Sequence, residues 1–213
     1  GHSQYLSVKD LGQYKRLGTT IDDAIGEAFD KTAKLLGIEF PGGPQIEVLA
    51  KKGDPNKYNL PKPIFNKGGC NLSFAGLKTA ILKIAKKIKT DQEKFDLAAS
   101  FQKTVIEILN KKTRIAFAEF EKQTNPKEKK FVVAGGVAAN KDIRNMLVNL
   151  CKEENYEPIF PPIELCGDNA AMIAIVGLEK YKLKQFSNLD HPAKPRWSLD
   201  QNASFLKGAG VQL

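Results

Sequence analysis

Phe131-Val132-Val133-Ala134-Gly135-Gly136-Val137-Ala138-Ala139-Asn140 is an apolar run that ends on paired glycines, and Ile143, Met146, Leu147, Leu150 and Cys151 follow it at helical intervals. The first part predicts a buried parallel strand over 130–134, and the periodic part predicts an amphipathic helix ending near Glu154. Strand, turn, helix in that order is the pattern of an α/β fold. Paired glycines let backbone approach a flat ring or a phosphate, and the helix start beyond them offers unpaired N–H groups and a positive dipole end. Many α/β proteins use glycines simply to turn, so this run by itself marks a position for a nucleotide without assigning one. A phosphate-loop Gly-x-x-x-x-Gly-Lys-Ser/Thr run is absent, and Gly208-Ala209-Gly210 has no helix to open.

Upstream, residues 2–9 alternate as a strand would, and Gly12 with Tyr14, Arg16 and Leu17 predicts the second strand of a hairpin. Ile21, Ala24, Ile25, Ala28, Phe29, Thr32, Ala33, Leu35 and Leu36 predict a helix over 21–36, capped by Thr20 and stopped by Gly37. Pro41-Gly42-Gly43-Pro44 reads as a tight turn before a short helix that runs through Ala50. Residues 53–71 lack periodicity and read as an irregular surface loop. Two helices follow over 76–89 and 91–123, the second unusually long. Downstream, 156–160 reads as an edge strand because Pro158 cannot donate to a ladder. A last helix is predicted over 169–181 with Asp168 as its N-cap, and 186–213 reads as an irregular tail packed on the surface.

At 213 residues and 42% hydrophobic content the chain is long enough for a packed core. No apolar run approaches the roughly 20 residues of a membrane-spanning helix. No export signal is evident, so a cytoplasmic location without membrane partners is the expectation. Cys70, Cys151 and Cys166 are too few and too scattered for a disulfide framework or a zinc clip, and read as free thiols. The net charge of +9 comes mostly from lysine. It suits a polyanion such as tRNA as well as it suits a lysine-rich solvated surface, and charge alone does not choose between them.

Asp22, Asp23, Glu27 and Asp30 place three carboxylates on nearby surface of the predicted helix. They read either as ordinary surface acids or as a cluster awaiting ribose hydroxyls. Asp168 reads as an N-cap, although a carboxylate is also a hard metal ligand. His2 and His191 are far from any two-histidine helical spacing, so these residues supply no metal site by themselves, and His191 reads as a surface loop residue.

Taken together, five runs resemble the TsaD family of tRNA adenosine threonylcarbamoyltransferases, also called glycoprotease-like. They are Gly1-His2-Ser3-Gln4, the stretch from Asp22 to Lys34, Pro41-Gly42-Gly43-Pro44, the stretch from Ala134 to Asn140, and Asp168-Asn169-Ala170-Ala171-Met172-Ile173-Ala174. Ser73-Phe74-Ala75-Gly76-Leu77-Lys78-Thr79, Ala99-Ser100-Phe101-Gln102 and Pro195-Arg196-Trp197 support them. Order and spacing match over nearly the whole chain.

The resemblance implies the two-lobed fold of actin, the 70-kDa heat-shock chaperones and the sugar kinases. Residues 1–185 would be most of the second lobe, with a helical insertion near 72–124. It implies transfer of a threonylcarbamoyl group from threonylcarbamoyl-AMP to the exocyclic amine of adenosine 37 in tRNAs reading codons that begin with A. Carried over by motif position, Gly1, Asp30, Gly43 and Asn140 would contact the adenylate, and Asp168 would be a metal ligand. The metal would be a single divalent ion, iron(II) by resemblance, with zinc or magnesium as alternatives. Gly1 would sit within the family's Ser-Gly-Gly turn, so the first lobe and its His-x-x-x-His helix would lie outside the residues given, and this piece alone would be inactive and would expose apolar surface. The implied partners are tRNA, an adenine nucleotide, a TsaB-like paralogue and a TsaE-like ATPase. The alternative within the family is a noncatalytic nucleotide-binding scaffold. That reading ranks lower because the acidic run is complete, and a zinc protease lacks its His-Glu-x-x-His here. A sugar or acetate kinase of the same fold remains open in principle.

Overall fold

The computed structural model describes residues 2–193 and 197–203. Strands β1 (Gln4–Asp10) and β2 (Gln13–Thr19) form the predicted antiparallel hairpin. Helix α1 is Ile25–Leu35, shorter at its start than the periodicity predicts. The reason lies in residues 20–22. Thr20 pairs with Leu72 in a parallel bridge, and Ile21 donates its N–H to the Leu72 carbonyl, so this stretch extends the hairpin and not the helix. The predicted turn at 41–44 is instead the first turn of α2 (Gly42–Ala50), with Pro41 at the N-cap.

Residues 53–71 contain no regular element, as predicted, yet they are tied along the next long helix. Asp54 N–H donates to Asp96 Oδ1 at 2.8 Å, Tyr58 N–H to Ser100 Oγ at 3.1 Å, and the buried Lys112 ammonium to the carbonyls of Lys67 and Gly69 at 2.9 and 3.0 Å. Helix α3 (Ala75–Ala85) and helix α4 (Asp91–Thr124) follow. A reciprocal capping box of Thr90 and Glu93 starts α4, and Asn125 in the left-handed region ends it.

The core is built on α4. Leu97, Ala98, Phe101, Val105 and Ile108 are fully buried, meeting Phe29 of α1, Ile46 of α2 and Leu77 and Ile81 of α3. Phe29 and Phe101 meet edge to face at 4.9 Å. Burial of each such ring contributes about 1.5–3 kcal/mol. At the other end of α4, Phe117 stacks on Tyr156 at 3.7 Å and meets Phe131 edge to face at 4.9 Å.

Strands β3 (Lys130–Val132) and β4 (Glu157–Ile159) pair in parallel, with helix α5 (Lys141–Glu153) between them. The α/β unit is therefore as predicted, whereas the burial is not: Val132 is 61% exposed. Only the Phe131 side of β3 meets the core, because α4 and α5 cover one face of this two-stranded sheet. Helix α6 (Ala170–Lys182) has no buried residue, although Ile173, Ile175, Val176, Leu178 and Tyr181 lie along it. Asn169, not Asp168, caps it, accepting from Met172 N–H at 3.0 Å. Of the predicted tail, residues 197–203 contain the segment that docks: Asp200 accepts the Arg16 N–H of β2 at 2.8 Å. Among the described residues no helix is long and apolar enough to cross a membrane. Cys70, Cys151 and Cys166 are free and buried.

Candidate functional site

The acidic run is divided between structural work and an open position. Ile25, at the start of α1, donates its N–H to Ser3 Oγ at 3.1 Å, which replaces the predicted Thr20 cap and joins the first strand to the acidic run. Asp22 precedes the helix and faces α3, accepting Phe74 N–H at 2.7 Å and the Ser73 hydroxyl. Asp23 and Glu27 share the Lys31 ammonium at 2.6 Å each. Burial alone would push that ammonium down, but its bonds to the two carboxylates outweigh it and hold Lys31 above the ordinary lysine range. The bond from Lys31 in turn holds the Glu27 carboxyl below the usual carboxylate range. Of the three carboxylates foreseen together on one helix, Asp23 and Glu27 meet at Lys31, Asp23 precedes the helix, and Asp30 is bonded elsewhere, to the Gly42 N–H.

Asp30 is the member left facing a cavity. Its Oδ1 accepts the Gly42 N–H at 2.9 Å, across the seam where α2 starts against α1. A Cβ at Gly42 would stand 2.5 Å from Ala33 Cβ and 2.9 Å from Asp30 Cα, so the close approach requires glycine. At Gly43 a Cβ would meet nothing within 4 Å, which leaves the first turn of α2 bare on its outer side. Asp30, Lys34, Ile38, Phe40 and Gly42 line a cavity of about 380 Å³, and Phe40 stands 84% exposed on its rim.

The Gly135-Gly136 turn has the predicted form, with Gly135 at φ 98°, a conformation that L side chains rarely adopt. A single 3-10 turn (Gly136–Ala139) separates it from α5. The N–H groups at the start of α5 are not left open. Asn140 Oδ1 accepts from Asp142 and Ile143 N–H at 3.1 and 3.0 Å, and its Nδ2 donates to Gln102 Oε1 at 2.9 Å. Asn140 is 8% exposed. Its side chain caps α5 and ties the glycine turn to α4. The turn also lies near α1, since a Cβ on Gly26 would be 3.7 Å from Val137.

Asp168 is exposed on the segment leading into α6. That segment is held by Arg144 of α5, which stacks over Phe160 at 4.6 Å and donates to the Pro161 carbonyl at 3.5 Å and to Cys166 Sγ at 3.8 Å. Among the described residues no three His, Cys, Asp or Glu side chains are grouped to hold a metal. The donors present therefore do not by themselves fit a resident ion, and Asp168 would offer one carboxylate alone. His191, as predicted, lies in an exposed segment, beside Trp197 at 5.5 Å. Gly1 lies outside the described residues. A larger cleft of about 910 Å³ opens between the hairpin, Phe120, Thr124 and residues 199–202. It contains none of the motif residues.

A model of the family described as "TsaD: tRNA N6-adenosine threonylcarbamoyltransferase" matches residues 1–175. The chain belongs to the TsaD family. Among its relatives, the tRNA N6-adenosine threonylcarbamoyltransferase of Pelagibacter ubique (strain HTCC1062) is 79% identical over 213 residues, which is all of this chain and 60% of that protein. The protein of the same name from Rickettsia rickettsii (strain Sheila Smith) is 54% identical over 203 residues, 94% of this chain and 59% of that protein. That from Rickettsia bellii (strain OSU 85-389) is 51% identical over 203 residues, 94% of this chain and 60% of the relative. The chain thus spans about 60% of the length of the curated TsaD relatives it matches. Within this TsaD chain, the structure brings the first strand, acidic run, Pro-Gly-Gly-Pro run and glycine turn together around α1. Asp168 has no direct bond to that group. Sequence reasoning missed Phe40 and the division of labour between Asp22 and Asp30. The exposed aromatic beside Pro41-Gly42-Gly43 was a usable signal for the first, whereas no local signal separated two aspartates eight positions apart.

Proposed function

We propose that this chain is the nucleotide-holding part of a tRNA N6-adenosine threonylcarbamoyltransferase with the actin-like two-lobed fold. In this reading residues 1–185 form most of the second lobe, the helices near 72–124 are its insertion, and 186–213 is its tail. The observation that carries the reading is Asp30: fixed through Oδ1 by the Gly42 N–H, it faces a cavity of about 380 Å³ beside the bare Gly43. A carboxylate so placed accepts the ribose hydroxyls of threonylcarbamoyl-AMP, while Gly43 admits the nucleoside without an intervening side chain. Asn140 serves the nucleoside wall as the anchor of the Gly135-Gly136 turn, and Gly1 belongs to the phosphate side.

In the transfer itself, the N6 amine of the target adenosine attacks the carbamoyl carbonyl carbon. The new C–N bond forms, the C–O bond to phosphate breaks, AMP leaves and N6 gives up a proton. No protein nucleophile is needed, and the contribution of these residues is to hold and orient the adenylate. By resemblance Asp168 would be a ligand to a divalent metal, iron(II), which would supply positive charge to the departing phosphate; among the described residues no further donors join it. The tRNA, TsaB-like and TsaE-like partners belong to this reading, as does a cytoplasmic site of action. The apolar surface of α6 suits contact with the first lobe, since residues 170–178 are apolar on every side and such a stretch of helix is ordinarily buried.

The test uses the full-length polypeptide with its partner proteins, threonylcarbamoyl-AMP and tRNA, and mass spectrometry of the digested nucleosides. Asp30→Asn retains an acceptor for Gly42 N–H and removes the charge offered to ribose, so product formation should fall about 10- to 100-fold while stability falls by only about 1 kcal/mol, the difference between a charged and a neutral acceptor. Unchanged turnover in that variant overturns the role of Asp30. No modified nucleoside from the wild-type assembly overturns the transferase in favour of a noncatalytic scaffold.

A further inference from the structure

Helix α3 and the turn after it carry a block of charge that the proposed transfer leaves unused. Between Ala75 and Thr90 the sequence contains Lys78, Lys83, Lys86, Lys87 and Lys89 and no aspartate or glutamate. Among the described residues α3 is the one α-helix without an acidic residue. The inner face of this segment is fixed by Leu77 and Ile81, both fully buried, with Ala80, Ile84 and Ile88 packed beside them. With about 3.6 residues per turn, Lys86 and Lys83 fall on the opposite side and Lys78 and Lys87 on its two flanks, and all five lysines are exposed.

A generally lysine-rich surface does not account for this block. Other helices of the same chain interleave acids with their lysines, as in the pairs Glu27 with Lys31, Glu47 with Lys51 and Lys103 with Glu107. None of the five α3 lysines has an ion pair among the described residues. Lys83 stands three and four positions from Lys86 and Lys87, and like charges at those spacings cost a helix roughly 0.2–0.5 kcal/mol each. The helix dipole favours cations at this C-terminal end, and no acidic residue of the segment answers their mutual repulsion.

The face is also registered to the candidate site. Asp22, from the same acidic run as Asp30, holds the residues that open α3 through Phe74 N–H and the Ser73 hydroxyl. An anion on the lysine face is thereby placed at a set distance from the Asp30 cavity. The chemistry favours nucleic acid over a lipid surface. An interfacial helix turns a continuous apolar side of Leu, Phe or Trp outward to the acyl region, whereas most of the apolar side of α3 is spent in the core and its outer face is lysine, threonine and glycine around a single Leu82, 37% exposed.

We propose that the lysine face of α3 is a docking surface for the sugar-phosphate backbone of the RNA substrate, an inference that rests on the tRNA-modifying reading above. Lysines act there as flexible point charges that fix position without reading bases. That suits an enzyme that must accept several tRNAs sharing one modified position.

The experiment compares the full-length wild-type polypeptide with a variant carrying Lys83→Gln, Lys86→Gln, Lys87→Gln and Lys89→Gln. A control carries four Gln substitutions elsewhere, at the exposed Lys15, Lys122, Lys127 and Lys152, with the same loss of net charge. Urea midpoints establish that each is folded, and tRNA affinity is measured against potassium chloride concentration. The α3 variant should bind at least about tenfold more weakly near 0.1 M salt, with a slope of log affinity against log salt shallower by about 2–3. The loss should be similar for different tRNAs, and the control should stay near wild type. An α3 variant with wild-type affinity and slope overturns the docking surface, and so does an equal loss in the control, which would make net charge the cause. Binding of phosphatidylserine vesicles that depends on these lysines, with tRNA binding unaffected, also overturns it in favour of a membrane. The two readings fail separately: wild type that forms product while the α3 variant keeps its affinity removes this inference alone. Wild type that docks tRNA through these lysines but forms no product removes the transferase alone.

Discussion

Gly42 and Gly43 are adjacent in sequence and opposite in consequence, and alanine at each should separate packing from ligand access. At Gly42 the added Cβ would lie 2.5 Å from Ala33 Cβ and 2.9 Å from Asp30 Cα. Carbon atoms rest about 3.5–4.0 Å apart, and both neighbours belong to the α1 backbone or its shortest side chain, so α2 must move away from α1. That movement strains the packing by about 1–3 kcal/mol and lengthens the 2.9 Å bond from Gly42 N–H to Asp30 Oδ1. A bond to a charged acceptor contributes about 1.5–3 kcal/mol. The terms overlap, so Gly42→Ala should destabilise by about 2–5 kcal/mol, a large part of a typical total of about 5–15 kcal/mol. At Gly43 nothing lies within 4 Å, and alanine there removes chain entropy from the unfolded state, so stability should hold or rise by about half a kcal/mol. Activity should fall in both, at Gly43 because a methyl group now stands where the nucleoside approaches. Urea unfolding of the full-length proteins measures the first effect and product formation the second. A Gly42→Ala protein within about 0.5 kcal/mol of wild type would refute the close-approach argument, as would Gly43→Ala proving the more damaging of the pair to stability.

Two further outcomes follow from the same seam. Because the Glu27 carboxyl is held below its usual range, it contributes stability that is present above the unfolded carboxylate range and lost as pH falls through the lowered value; Lys31, held above its usual range, contributes stability present at neutral pH and lost as pH rises through the raised value. The stability gap between wild type and Lys31→Gln, measured by urea midpoints, should therefore be flat near neutrality and narrow toward both acid and strong alkali, and a gap independent of pH would contradict the pairing. Asp22→Ala leaves Ser73 and Phe74 without their acceptor and should cost about 1.5–3 kcal/mol; an unchanged midpoint would mean that α3 is not held to the acidic run.

The parts of the fold legible in the sequence were those set by local chemistry. The long helix predicted over 91–123 is α4 (Asp91–Thr124), whose ends are fixed by neighbours in the chain, the Thr90 and Glu93 capping box at its start and Asn125 at its end. The α/β unit was readable from its glycine turn and from the periodicity of α5. What failed to read were boundaries decided by distant partners. Residues 20–22 have helical periodicity, yet Leu72, some fifty positions away, takes their backbone into a β bridge. Pro41-Gly42-Gly43-Pro44 has turn chemistry, yet the Asp30 carboxylate accepts the Gly42 N–H as α2 begins. Burial of β3 was overestimated because an apolar run says which residues prefer cover, not whether both faces receive it.

The site divides along the same line. Its residue types were visible at once, since an acidic run, paired glycines and a lone aspartate each carry a chemical meaning alone. Their roles depended on which donors arrived from elsewhere. Asp22 and Asp30 are chemically identical, and what distinguishes them is that Asp22 receives donors to both of its oxygens from Ser73 and Phe74, while Asp30 is bonded through Oδ1 and lines a cavity. Asn140 illustrates the converse. Expected to contact the nucleoside, its side chain is bonded at both ends, to the first turn of α5 and to Gln102, whose Nε2 donates in turn to Asp142 at 2.6 Å. A residue committed in this way still governs the ligand, because it sets where Gly135 and Gly136 can stand. Loss of Asn140 should therefore disturb nucleotide binding and stability together, whereas loss of the Asp30 charge, with an amide left to accept the Gly42 N–H, should disturb binding far more than stability.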